Sequence, residues 1–258
     1  MSVSVKALPF ALLFVAACTP DSAGAPPPVA RAPEVAAAPG NGSTVPADRW
    51  RAVLIAGDDN SPAFDNGVEA LRDKLATRGV RNIRVLTSDP AGNPSLQVAT
   101  AANVSNALRS GGGEACLAFI TSHGDERGFL LRSAKGVVGP TSLASALDEG
   151  CGARPTVVVV SACHSGFFLT NAMRQPNRVV LTAAAANRTS FGCGTGDQYT
   201  YYDQCLLQQF DGATTWRELA VATRSCVENL ERRMGMRPPS QPQIFVGAAV
   251  ADLRIPGR

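Results

Sequence analysis

Two apolar runs, CLAFITSHG over 116–124 and TVVVVSACHSG over 156–166, constrain this chain more than anything else in it. Each has the length and β-branched content of a buried strand, and neither alternates with polar residues in its apolar part. A strand apolar on both sides must be covered on both sides, which a parallel sheet between two helical layers provides. Both runs turn polar at the same point. His123 and Gly124 close the first, and Cys163, followed by Gly166, closes the second. Ligands in open α/β sheets bind at the carboxyl ends of strands, so a thiol and an imidazole are expected to face each other at one sheet edge. The thiolate is the nucleophilic form, and a thiol with an ordinary pKa of about 8.5 needs a neighbouring imidazole to react near neutrality.

A free Cys on its own is more often a small core residue. What lifts Cys163 above that reading is His123, one of only two His in the chain, at the equivalent point of its own run. The other, His164, directly follows Cys163, and successive residues at a strand end point in opposite directions, so its ring is expected to face away from the thiol. These residues lack the C-x-x-C or H-x-x-x-H spacings of metal sites, so neither metal nor cofactor is expected.

Strand and helix patterns alternate from residue 51 onward. RAVLIAG (51–57), NIRVLTS (82–88), RVVLTAA (178–184) and QIFVGAA (243–249) read as further strands. Helices are expected at 68–79, 96–108, 141–150, 201–210 and 216–230, with a hairpin over 128–139 turning at Ala134, Lys135 and Gly136. Strands joined by helices across one sheet predict a three-layer αβα sandwich with a mostly parallel sheet of about six strands.

The segments ITSHG (120–124), VVSACHSG (159–166) and LTAAAANRTSFGC (181–193) resemble the legumain, or asparaginyl endopeptidase, branch of the caspase-like cysteine peptidases. The resemblance implies a caspase-like fold over residues 48–258, with Cys163 as nucleophile and His123 as its base or ion-pair partner. It implies an oxyanion hole built from the backbone N–H groups of Gly124 and Cys163, and a substrate groove lined by Thr189, Ser190 and Phe191. It also implies a polypeptide substrate. Where legumains carry an Arg in the substrate pocket this chain offers Asp65, which reads either as an acidic pocket wall favouring a basic residue or as a cap of the following helix. Asp203 or Gln204 is a further pocket candidate. Ala63 stands where the His-orienting Asn of the family is expected, and Asp58 or Asp59 could substitute for it. The resemblance reaches the glycosylphosphatidylinositol transamidase subunit too, so a transpeptidase is the alternative within the same chemistry. A non-catalytic envelope scaffold is the alternative outside it.

Residues 1–17 pair Lys6 with the apolar stretch ALPFALLFVAA, the pattern of a signal peptide. VAAC then resembles a bacterial lipobox that would expose Cys18 for acylation, against the rival reading of a plain secretory signal. Thr19 follows, not Asp, which favours the periplasmic face of the outer membrane. The Pro- and Ala-rich remainder of 18–47 reads as a tether. This predicts an exported protein of the bacterial envelope that meets the membrane through its lipid. A net charge of +3 with no basic stripe gives no reason to expect nucleic acid. With Cys18 and Cys163 set aside, five of the seven cysteines remain in an oxidising compartment. Cys193–Cys205 and Cys116–Cys151 are the expected bridges, with one thiol left over.

Overall fold

A computed structural model describes Met1 and residues 44–258 apart from Asn93. The expected signal peptide, Cys18 and residues 18–43 of the tether lie outside the described residues. The elements follow in the order β1 (Trp50–Ala56), α1 (Pro62–Thr77), β2 (Asn82–Thr87), β3 (Gln97–Val98), α2 (Ala101–Arg109), β4 (Ala115–Thr121), β5 (Gly124–Asp125), β6 (Gly128–Leu131), β7 (Gly136–Val138), α3 (Pro140–Cys151), β8 (Thr156–Ser161), β9 (Arg178–Thr182), α4 (Tyr201–Gln209), α5 (Trp216–Met234) and β10 (Gln243–Val246).

Seven strands form one sheet in the order β10-β9-β8-β4-β1-β2-β3, with every neighbour parallel except β10 against β9. The central four, β1, β4, β8 and β9, are buried at every residue. Their alternation divides the core. Leu54, Leu117, Phe119 and Val159 pack against Phe64 and Leu71 of α1, Leu206 of α4 and Trp216 of α5. Ile55, Ile120, Val158 and Val160 pack against Val104 and Leu108 of α2 and Leu143 and Leu147 of α3. Each such side chain contributes about 2 kcal/mol on burial, so continuous apolar strands with amphipathic helices on both sides have only this layered solution.

The structure departs from the sequence expectation in three places. Helix α1 begins at Pro62, six residues before the expected start, because Ser61 caps it by accepting from Ala63 N–H and Pro62 fits the first helical position. The stretch expected as one helix from Leu96 begins instead with the two-residue strand β3, and α2 starts after the Thr100 cap. The expected hairpin is one part of a second, three-stranded sheet, in which β5 pairs with β6 and β6 with β7.

Among the described residues two disulfides staple the fold: Cys116–Cys151 joins β4 to α3 across layers, and Cys205–Cys226 joins α4 to α5 within one layer. The expected Cys193–Cys205 bridge is thereby corrected. Cys205 is fully buried and points from α4 toward α5, whereas Cys193 lies in the loop before α4 and keeps a free thiol, as does Cys163.

Candidate active site

The β4–β8 ladder aligns Thr121 with Ser161, and Ser122 N–H continues it to Ser161 O at 3.1 Å. His123 and Cys163 each stand two residues beyond that pair, past the ends of two strands about 4.8 Å apart in the sheet. By the alternation of their strands Thr121 and Ser161 face the side covered by α1 and α4, and His123 reaches the same layer. The His123 ring accordingly meets the edge of Phe64 on α1, with centroids 5.1 Å apart and planes at 77°. The next residue brings the two tips into backbone contact. A Cβ on Gly124 would stand 2.6 Å from the Cys163 carbonyl oxygen and 2.9 Å from Ala162 Cβ, so no side chain fits there. The second sheet clamps the same corner: Leu130 N–H donates to His123 O at 2.9 Å, and Ser122 Oγ donates to Leu130 O at 2.7 Å.

The Cys163 sulfur is held by the chain that follows β9. Ser190 N–H donates to Sγ at 3.3 Å, and Ser190 O and Oγ lie 3.7 and 3.6 Å from it. Among the described residues no hydrogen bond joins the sulfur to the His123 ring. The run Thr189, Ser190 and Phe191 is fixed from its far side too, because Tyr201 N–H donates to Phe191 O at 2.9 Å. His164 turns away from the sulfur as expected. It takes a left-handed φ of 57°, its N–H donates to Arg188 O at 2.8 Å, and its Nδ1 is 2.9 Å from Ala186 O. Gly166 passes hard against the same loop, where a Cβ would stand 2.3 Å from Ala186 N.

Cys193, expected in a bridge with Cys205, is instead a free thiol beside the site. The stretch 190–194 runs from the β8 tip toward the start of α1, where Ser61 Oγ donates to Gly194 O at 3.0 Å. A second free thiol is thus carried into the site, and burial first, then the Cys163 charge, pushes its pKa up. The signal was present in the spacing, since Cys193 stands three residues past the residue that grips Cys163.

Asp65 is placed elsewhere. It sits in the first turn of α1 and accepts from Thr87 Oγ1, at the end of β2, at 2.6 Å. That end is three strand spacings from β8, about 14 Å across the sheet. There Asp65 lines a cavity of about 340 Å³ together with Asp59, Glu69 and Asp89, and burial outweighs its hydroxyl partner to push its pKa up. Ser61, not Asp65, is the helix cap. Ala63 is fully buried in that first turn. Asp58 is buried and accepts from Asn60 N–H at 2.8 Å, while Asp59 pairs with Arg132 at 3.2 Å. Neither is hydrogen-bonded to the His123 ring among the described residues. Gln204 lies on the far side of α4 in a shallow pocket with Lys74 and Asp211. Asp203 is fully enclosed below the tips of β4 and β8. No group of three or more His, Cys, Asp or Glu among the described residues could hold a metal ion.

The family model of the peptidase C13 family matches residues 91–223, just over half the chain, and that stretch holds both His123 and Cys163. The chain belongs to the peptidase C13 family. No curated protein sequence matches this C13 member. Among solved structures it is similar to the crystal structure of caspase-1 from Spodoptera frugiperda, at 15% identity and a TM-score of 0.56, over 84% of this chain and 94% of that one. At that identity the likeness establishes a caspase-like α/β fold. Family and fold together support a cysteine peptidase, a hydrolase acting on polypeptides.

Proposed function

We propose that this C13 member is a cysteine endopeptidase in which Cys163 is the nucleophile and His123 its base. The observation that carries the reading is the shared register of the two tips. His123 and Cys163 each stand two residues beyond one ladder pair, inside the matched family segment. Cys163 Sγ attacks the scissile carbonyl as its proton passes to His123. The imidazolium then protonates the leaving amine, and water attacks the acyl-enzyme with His123 as base. The N–H groups of Gly124 and Cys163 serve the oxyanion. Such backbone donors are fixed before charge develops, and each contributes about 3 kcal/mol of transition-state stabilisation. The run 189–191 is the rail along which the substrate backbone lies. With Asp65 on β2's side of the sheet, an acidic pocket wall from that residue has no support, and the residue preferred before the cleaved bond is left to measurement.

For the N-terminal segment we propose export, acylation of Cys18 and a tether that holds the catalytic domain off the periplasmic face of the outer membrane. The described residues contain no helix long and apolar enough to cross a membrane. Mass spectrometry of the mature protein tests the lipid: a diacylglyceryl adduct on Cys18 is expected, and an unmodified mature terminus elsewhere would remove it.

Profiling a peptide library with wild type and Cys163→Ala tests the chemistry. A positional preference abolished by the substitution is expected. Thiol-independent turnover would overturn it, and transfer to added amines in place of hydrolysis would favour a transpeptidase.

A further inference from the structure

Asp203 is a buried ionisable group that the proposed chemistry leaves unused. It is the third residue of α4 and has no exposed surface. Its Oδ2 accepts from Thr121 Oγ1 at 2.6 Å, whereas its Oδ1 has no hydrogen-bond partner among the described residues. The hydroxyls of Ser161 and Thr200, 3.3 Å from each other, lie near enough to favour the charged form, and Asp203 N–H donates to Thr200 Oγ1 at 3.0 Å. From α1 the Gly67 backbone faces it: a Cβ there would stand 3.1 Å from Oδ2. The groups around this carboxylate are thus hydroxyls from β4, β8 and the cap of α4, with Tyr202 its titratable neighbour. Burial pushes Asp203 up to about 6.

A half-satisfied buried carboxylate destabilises a fold, and an apolar or amide side chain would fill the space without that penalty. Its place in the fold gives the reason to keep it. Asp203 holds Thr121, and the Thr200 cap beside it meets Ser161; these are the last residues of β4 and β8. Each lies two residues before His123 or Cys163. The parallel ladder stops at Ser122, and beyond it no backbone hydrogen bond among the described residues joins the His123 tip directly to the Cys163 tip.

We propose that Asp203 is a positioning residue: α4 holds the β4 end through the Asp203 carboxylate on Thr121 and the β8 end through its Thr200 cap on Ser161, and so fixes the spacing of the tips that carry His123 and Cys163. This rests on reading those two residues as the working pair. A misplacement of about 1 Å at such a pair lowers turnover about a hundredfold, which sets the scale of the effect.

The test uses the full chain as wild type, Asp203→Asn, Thr121→Val and Thr121→Ser. Alkylation of Cys163 by iodoacetamide is followed from pH 5 to 10, with peptide mass mapping to count Cys193 separately. Cleavage of the best library peptide gives kcat and KM, and melting at pH 7.5 gives stability. Asp203→Asn and Thr121→Val are expected to lower kcat at least about tenfold with KM within about twofold. Their Cys163 alkylation at pH 6 falls in step and converges on wild type above pH 9, where a thiol ionises unaided. Thr121→Ser keeps wild-type rates, and Asp203→Asn melts no lower than wild type. Unchanged kcat and alkylation would overturn the proposal. So would a loss of activity that only tracks a loss of stability, or a changed rank order of residues before the cleaved bond, which would make Asp203 a substrate contact. If Asp203→Asn fails to fold, the Thr121 pair decides. If wild type alkylates at Cys163 with a pH 6 enhancement but cleaves no peptide, the peptidase reading fails while the positioning claim is still measured. No such enhancement in wild type would mean there is no pair to position.

Discussion

The same small device occurs at two strand ends of one sheet. At the end of β2, Thr87 donates to Asp65 at 2.6 Å, and at the end of β4, Thr121 donates to Asp203 at the same distance. In both cases burial pushes the carboxylic acid up against the pull of its hydroxyl partner. The surroundings differ. Asp65 opens onto a cavity and keeps solvent on one side, whereas Asp203 is sealed beneath His123 and Cys163. A strand-end threonine bound to a helix carboxylate is therefore no marker of function by itself. What gives the second copy its weight is which strands it joins and how completely water is shut out.

The comparison can be broken most directly at the tips themselves. Cys163→Ala is expected to lower peptide cleavage about ten-thousandfold and His123→Ala at least a hundredfold, read as initial rates on the library's best peptide. Neither substitution acts through the β2 end. The paired carboxylate variants sharpen it: Asp203→Asn lowers kcat at least about tenfold, while Asp65→Asn leaves it within about twofold. Equal losses in the two would erase the distinction.

Stability against pH separates the two ends again. The folded-state pKa of Asp203, about 6, lies above the ordinary aspartate value of 3.8. The folded protein therefore holds this proton more tightly than the unfolded chain, and stability falls as pH rises from about 4 to about 6. The loss is on the order of 3 kcal/mol for a shift of this size, and denaturant midpoints measured across that window should flatten in Asp203→Asn. Asp65 titrates in the same direction with a smaller effect, because it is only half-buried. The smallest effect belongs to Thr87→Val, which removes the partner of Asp65 and should cost about 1 kcal/mol in a melt at pH 7.5 without touching kcat.

The layered fold and the positions of His123 and Cys163 are legible in the chain because both follow from local pattern. Four strands apolar on both faces demand two helical layers, and the first polar residues past two of them must appear at one edge. Other features depend on partners distant in sequence. Ser61-Pro62 is a good helix start, yet the run of acidic and small residues around it reads equally well as a loop, so α1 begins six residues before its expected start and Asp65 falls inside its first turn, not at its cap. Cys205 could meet Cys193 or Cys226 on spacing alone, and only the packing of α4 on α5 selects the second. The burial of Asp203 is likewise invisible in a sequence where it follows two tyrosines, because it depends on Gly67 leaving space on α1.

The two disulfides and the free Cys163 set opposed demands on anyone handling this protein. Assay buffers for thiol enzymes are made reducing, yet here the same reagent can open the links that hold β4 to α3 and α4 to α5. Cys116, Cys151 and Cys205 are buried, whereas Cys226 is partly exposed like Cys163, so a mild, brief reductant that reaches Cys163 spares the β4–α3 link better than the α4–α5 link. The usable window of redox conditions is therefore a property of how deeply each sulfur is set.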